Sequence, residues 1–169
     1  MLDQKEEPHL VISLHALFGT TDYQTMRVQG KIKNQLISIL VDTDSTYNFV
    51  DLQAIRKLGV RLQDVPNFQK GCSDLSWEVQ GCQQSVNFFI IPLRDCDMVL
   101  GVQWLITLGP ILWNFKELTM KFVWQGKEVI WQGQLDGQVM IISNKHASKV
   151  RNSSSKGAYT MLLTGCVQD

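Results

Sequence analysis

The run Ile37-Ser38-Ile39-Leu40-Val41 ends abruptly in Asp42-Thr43-Asp44-Ser45-Thr46. β-branched and aliphatic residues dominate its first half, which marks a buried strand. Burial fixes the last residue of a strand in space. Asp42 therefore presents a carboxylate from a rigid end, with short hydroxyls beside it. A hydrolase can position a general base in this way. Asp, Thr and Ser are also common turn formers, so a plain turn at Asp42 stays open on this stretch alone.

The rest of the chain repeats short strands. Thr25 to Ile32 alternates, and the polar break Lys33-Asn34-Gln35 joins it to the next strand as a β-hairpin. Tyr47 to Val50 is a second apolar piece. Asp51 stands where a helix N-cap belongs, Leu52, Ile55 and Leu58 have helical spacing, and Gly59 is placed to end the turn. Val60 to Ser76 is the least patterned part, with Pro66, Asn67, Gly71, Ser73 and Asp74 as loop markers. Trp77 and Val79 alternate, Gly81 turns, and Val86 to Leu93 runs apolar, which predicts a second hairpin. Asp95 to Gly101 repeats the opening theme of a turn, a short strand at Met98-Val99-Leu100 and a glycine. A helix is expected from Val102 to Leu108, stopped by Gly109-Pro110. Ile111 to Phe115, Thr119 to Trp124 and Lys127 to Trp131 read as three more strands, and His9 to Leu17 as a possible edge strand. Many short strands with one or two short helices predict an all-β fold, a small closed barrel, over a doubly wound sheet.

Length and charge narrow the function classes. A chain of 169 residues favours one domain, here with a disordered lead-in over residues 1–10 and a linker and tail over residues 134–169. The tail includes the serine-rich stretch Arg151 to Gly157. Sixteen basic and sixteen acidic residues cancel, so no bulk field attracts nucleic acid or an anionic membrane. Cys72, Cys82, Cys96 and Cys166 form no Cys-x-x-Cys pair and read as reduced thiols of an intracellular, cytoplasmic protein without a zinc site. Val11 to Leu17 is too short to span a bilayer, and Met1 to Pro8 lacks the basic start of a secretion signal. Trp104, Trp113, Trp124 and Trp131 are expected in core or interface packing rather than as base stackers. His9, His15 and His146 have no partner at ligand spacing.

Two signatures resemble a known family. Ile39-Leu40-Val41-Asp42-Thr43-x-Ser45-Thr46-x-Asn48-Phe49 is similar to the acid loop of the retroviral-type aspartic proteases, closest to those of plant Ty3/gypsy retrotransposon polyproteins. Asp97-Met98-Val99-Leu100-Gly101-Val102-Gln103-Trp104-Leu105, followed by Leu108-Gly109-Pro110-x-Leu112-Trp113-x-Phe115, is similar to their second signature. Ile12 to Leu17 fits as well, so the resemblance covers roughly residues 11–133, and Ala158 to Leu163 resembles the connector toward a reverse transcriptase. It implies an endopeptidase whose catalytic acid is Asp42. Thr43, Asp44, Ser45 and Thr46 form the active-site loop, and Leu100-Gly101 support it from below. Because a subunit carries one such acid, the resemblance implies a homodimer acting on extended peptide, with no cofactor, metal, membrane or direct nucleic-acid partner.

Two departures stand out. Asp44 occupies the position of the family's glycine, where left-handed geometry is expected and Asp is tolerated. At about 4 Å an added carboxylate repels another by roughly 1 kcal/mol in water-like surroundings and roughly 4 kcal/mol at an effective dielectric of 20. Activity is expected to weaken, disappear or move to lower pH. The flap over the substrate is also short, with Gly71 as its expected tip. Both departures fit an inactive dimeric peptide-binding module equally well. A third alternative is a magnesium-dependent phosphatase, since Asp42-Thr43-Asp44-Ser45-Thr46 satisfies an Asp-x-Asp-x-Thr pattern.

Overall fold

In the computed structural model, residues 11–13, 17, 25–65, 68–134 and 160–163 are described. The histidines at 9, 15 and 146, the lead-in and most of the tail lie outside them.

The first hairpin sets the frame. β1 (Thr25–Ile32) pairs antiparallel with β2 (Gln35–Asp42), in register from Thr25↔Asp42 to Ile32↔Gln35. Its two turn residues, Lys33 and Asn34, both have positive φ, the twist that a two-residue hairpin demands. β3 (Phe49–Asp51) runs directly into α1 (Leu52–Leu58). Asp51 caps that helix by accepting from the Gln53 and Ala54 amides, and Gly59 closes its far end. β4 (Gln63–Val65), β5 (Phe68–Val79), β6 (Cys82–Ile91) and β7 (Met98–Leu100) follow.

The strand order is β1-β2-β7-β3-β6-β5-β4, and an additional β1–β5 pairing at Lys31↔Glu78 closes six strands into a barrel. β4 hangs on the outside of β5. Gly30 makes the closure possible. A Cβ there would lie 2.6 Å from Ile39 Cδ1 and 2.9 Å from the Glu78 carbonyl, so any side chain would push β1 off β5.

Beyond the barrel, α2 (Val102–Leu105) tightens into a 3-10 turn (Ile106–Leu108) where one continuous helix is expected. β8 (Ile111–Asn114), β9 (Thr119–Trp124), β10 (Lys127–Gln132) and β11 (Thr160–Leu163) form a second sheet in the order β10-β9-β8-β11. Its inner face and the barrel share an aromatic core. Trp104 stacks on Trp131 at 5.3 Å, Trp77 meets both edge-on, and Phe122 closes the group. The buried Gln84 accepts from the Trp104 indole N–H at 2.6 Å, which satisfies both groups. Trp104, Trp113 and Trp131 are thus core residues, and Trp124 is half-buried.

Three expectations change. Val60 to Ser76 is not a loop: it holds β4 and the first part of β5. The pattern was hidden by a register shift between Cys72 and Leu75, where Asp74 takes positive φ and breaks the alternation. Residues 11–13 do not add an edge strand but hydrogen-bond to the acid loop. The phosphatase alternative fails on topology. Its chemistry sits on a parallel sheet with crossover helices. Here the parallel pairings are β2–β7 and β3–β6, inside a closed mixed barrel. No helix among the described residues is long and apolar enough to cross a membrane.

Candidate active site

Asp42 is the last residue of β2 and is wholly buried, with no exposed surface. Neighbouring strands hold it on both sides: Thr25 of β1 faces it in register, and Val41 pairs with Leu100 of β7. Beyond the strand the chain turns at Thr43-Asp44. The Asp44 amide donates to Asp42 Oδ1 at 3.0 Å, and the Ser45 hydroxyl donates to Oδ2 at 2.7 Å. A second hydroxyl, that of Ser13, also donates to Oδ2. A carboxylate held by three donors in a dry site is oriented and cannot rotate freely.

The loop is fastened from below. The Val102 amide donates to the Ser45 carbonyl at 2.7 Å, and the Gln103 amide to the Thr46 carbonyl at 2.9 Å. Gly101 leaves no room between the two segments: a Cβ there would lie 2.2 Å from the Tyr47 carbonyl oxygen and 2.5 Å from that of Ser45. The buried Asn48 completes the junction. Its Oδ1 accepts from the Gly101 amide at 3.1 Å, while its Nδ2 donates to the Asn87 carbonyl at 3.3 Å. Leu100 is fully buried beside β2.

A second clasp sets β7 next to β2. Asp97 Oδ2 accepts from the Ser38 amide at 2.8 Å, and the Asp97 amide returns a bond to the Ser38 carbonyl at 2.9 Å. Arg27 reaches across with Nη1 to Ser38 Oγ at 2.8 Å and to the Asp95 carbonyl at 2.6 Å. Between these acids lies Cys96, whose thiol is pushed up to about 12, chiefly by burial, with the Arg27 charge opposing. Burial likewise raises the Cys72 thiol. Cys72, Cys82 and Cys96 are free, and neither Cys72 nor Cys96 is an activated nucleophile.

Asp42, Asp44, Ser45, Thr46, Leu100 and Gly101 therefore come together at one junction, with Thr43 half-buried in the turn between them. Gly71 does not join them as a hairpin tip. It lies inside β5, buried and paired with Gln63 on one side and Phe89 on the other, and the β4–β5 pairing runs on past it to Val65↔Phe68. Asp44 is exposed and has no positive φ, so the left-handed geometry expected there is not used. Sequence reasoning missed the roles of Ser13, Asn48 and Gln103. Each acts on a segment 29 to 55 residues away, and no local pattern signals that. No group of three His, Cys, Asp or Glu side chains among the described residues could hold a metal ion.

The barrel is a known arrangement. The chain superposes on the retroviral protease-like domain of Ddi1 from Leishmania major with a TM-score of 0.52. The match covers 72% of this chain and 100% of that domain, at 13% sequence identity. The chain has a retroviral protease-like fold. No protein-family model matches it, and no curated protein matches it in sequence.

Proposed function

We propose that this chain is the subunit of a homodimeric aspartic endopeptidase of retrotransposon origin, of the plant Ty3/gypsy type. It would act inside the cell on an extended polyprotein segment. The catalytic domain spans residues 11–133, and β11 from the tail adds to its second sheet by pairing with β8. One observation carries the reading: within a retroviral protease-like barrel, Asp42 ends a buried strand with its carboxylate oriented by the Asp44 amide and the Ser45 hydroxyl.

The mechanism needs two copies. Each subunit supplies one Asp42, and a two-fold axis brings the pair face to face. Like charges that close share one proton. The ionised member takes a proton from water as the water attacks the scissile carbonyl, and the protonated member donates to the carbonyl oxygen. Ser45 and the Asp44 amide hold each carboxylate in its plane, and the Gly101 junction keeps the loop from relaxing.

A second reading is a dimeric peptide-binding module without turnover. The complete burial of Asp42 and the three-residue β4 favour it. Cleavage of a peptide library between pH 3 and 7 separates the two. The endopeptidase reading predicts turnover that Asp42→Ala abolishes. Cleavage that survives Asp42→Ala contradicts it, and peptide binding without cleavage supports the module.

A further inference from the structure

We infer that residues 11–13 are an internal strap that closes the Asp42 site in the isolated subunit and must leave before a second copy can dock. The inference rests on Asp42 being half of a dyad, and it adds how that site is controlled.

The strap is bound to the acid loop by paired contacts. The Thr46 amide donates to the Val11 carbonyl at 2.9 Å, and the Thr46 hydroxyl donates to the same oxygen at 3.0 Å. The Val11 amide donates back to Thr46 Oγ1 at 3.0 Å, and the Ser13 amide to Ser45 Oγ at 3.1 Å. Ile12 packs on the cluster of Leu40, Phe49 and Val99 beneath the loop. The Ser13 hydroxyl then donates to Asp42 Oδ2, the oxygen that Ser45 already serves.

Lone-pair accounting makes the closure specific. A carboxylate oxygen accepts about two hydrogen bonds in its plane, and Oδ2 has both from Ser13 and Ser45. Asp42 has no surface open to solvent. With the strap seated, neither a water nor a twin carboxylate reaches Oδ2. A proton shared through Oδ2 between two Asp42 residues and the Ser13 contact are therefore mutually exclusive. The strap is also built to be displaced: it holds mainly by hydrogen bonds, and Val11 at its end is 47% exposed. Competition of this kind raises the concentration at which the chain dimerises, by the inverse square of the fraction of subunits that are open, since both partners must be open.

The 169-residue chain with Ser13→Ala, which removes the hydroxyl, and with Ser13→Glu, which sets a second carboxylate against Asp42, tests this. Hydrogen exchange at the Thr46 amide reports the strap, and sedimentation reports dimerisation. Fluorescence of the buried tryptophans checks folding. In the native chain the Thr46 amide should be protected. Both variants should speed its exchange, by at least about tenfold for Ser13→Glu, and dimerisation should tighten in the same order. An unprotected Thr46 amide in the native chain overturns the strap. So does faster exchange with unchanged dimerisation, or a chain that stays monomeric in every form. Neither readout needs turnover. A tighter dimer that cleaves no peptide would sink the endopeptidase reading and leave the strap standing.

Discussion

Asp44 serves the turn through its backbone and leaves its side chain at the surface. Its contact with Asp42 is made by the amide, which every residue but proline has, and its φ needs no glycine. Asp44→Gly should keep that contact, remove one exposed charge per subunit and raise kcat/KM between pH 3 and 7; an unchanged rate would show that the charge does not limit turnover. Gly101 is the opposite case. Gly101→Ala drives a methyl into two carbonyl oxygens and should cost about 2–4 kcal/mol, read as a lower midpoint in urea, with the acid loop displaced. Cys96 makes a prediction about pH. Its folded thiol titrates near 12 against an ordinary 9.0, so above pH 9 the unfolded chain loses a proton that the folded chain keeps. Stability from this group is intact below about pH 9 and falls as pH rises toward 12, and the native thiol should resist alkylation at pH 8. At this scale the placement of Asp42, Ser45 and Gly101 was legible because each stands in a short contiguous stretch of sequence. Ser13 and Asn48 were not, because their partners are distant in sequence.

Among the elements, α1 is anchored by one side chain that serves two masters. Asp51 caps the helix through Oδ2, and its Oδ1 accepts from the Leu93 amide at 2.8 Å. Asp51→Ala removes three acceptor contacts from a buried site, and the expected loss is about 2–3 kcal/mol, seen as a drop in thermal midpoint. This helix was readable from sequence because cap, apolar spacing and closing glycine all agree. The β4–β5 hairpin was not. Three residues carry too little pattern, and the irregularity at Asp74 interrupts the alternation of β5. β11 was equally hidden: its four residues acquire a role only by pairing with β8, some fifty positions earlier.

The whole molecule joins a closed six-stranded barrel to a second sheet across one tryptophan-rich core, and the acid loop sits at the junction of β2, β7 and α2. Such a body supplies a single Asp42, so catalysis by a dyad requires a second subunit. Mixing subunits tests that requirement most directly. Native chain is combined with Asp42→Asn chain at constant total concentration, and cleavage is followed as the native fraction falls. If both acids are needed, activity follows the square of that fraction, so an equal mixture retains about a quarter of the full rate. Activity that falls only in proportion, to about half in the equal mixture, would show that each subunit works alone and would contradict the account.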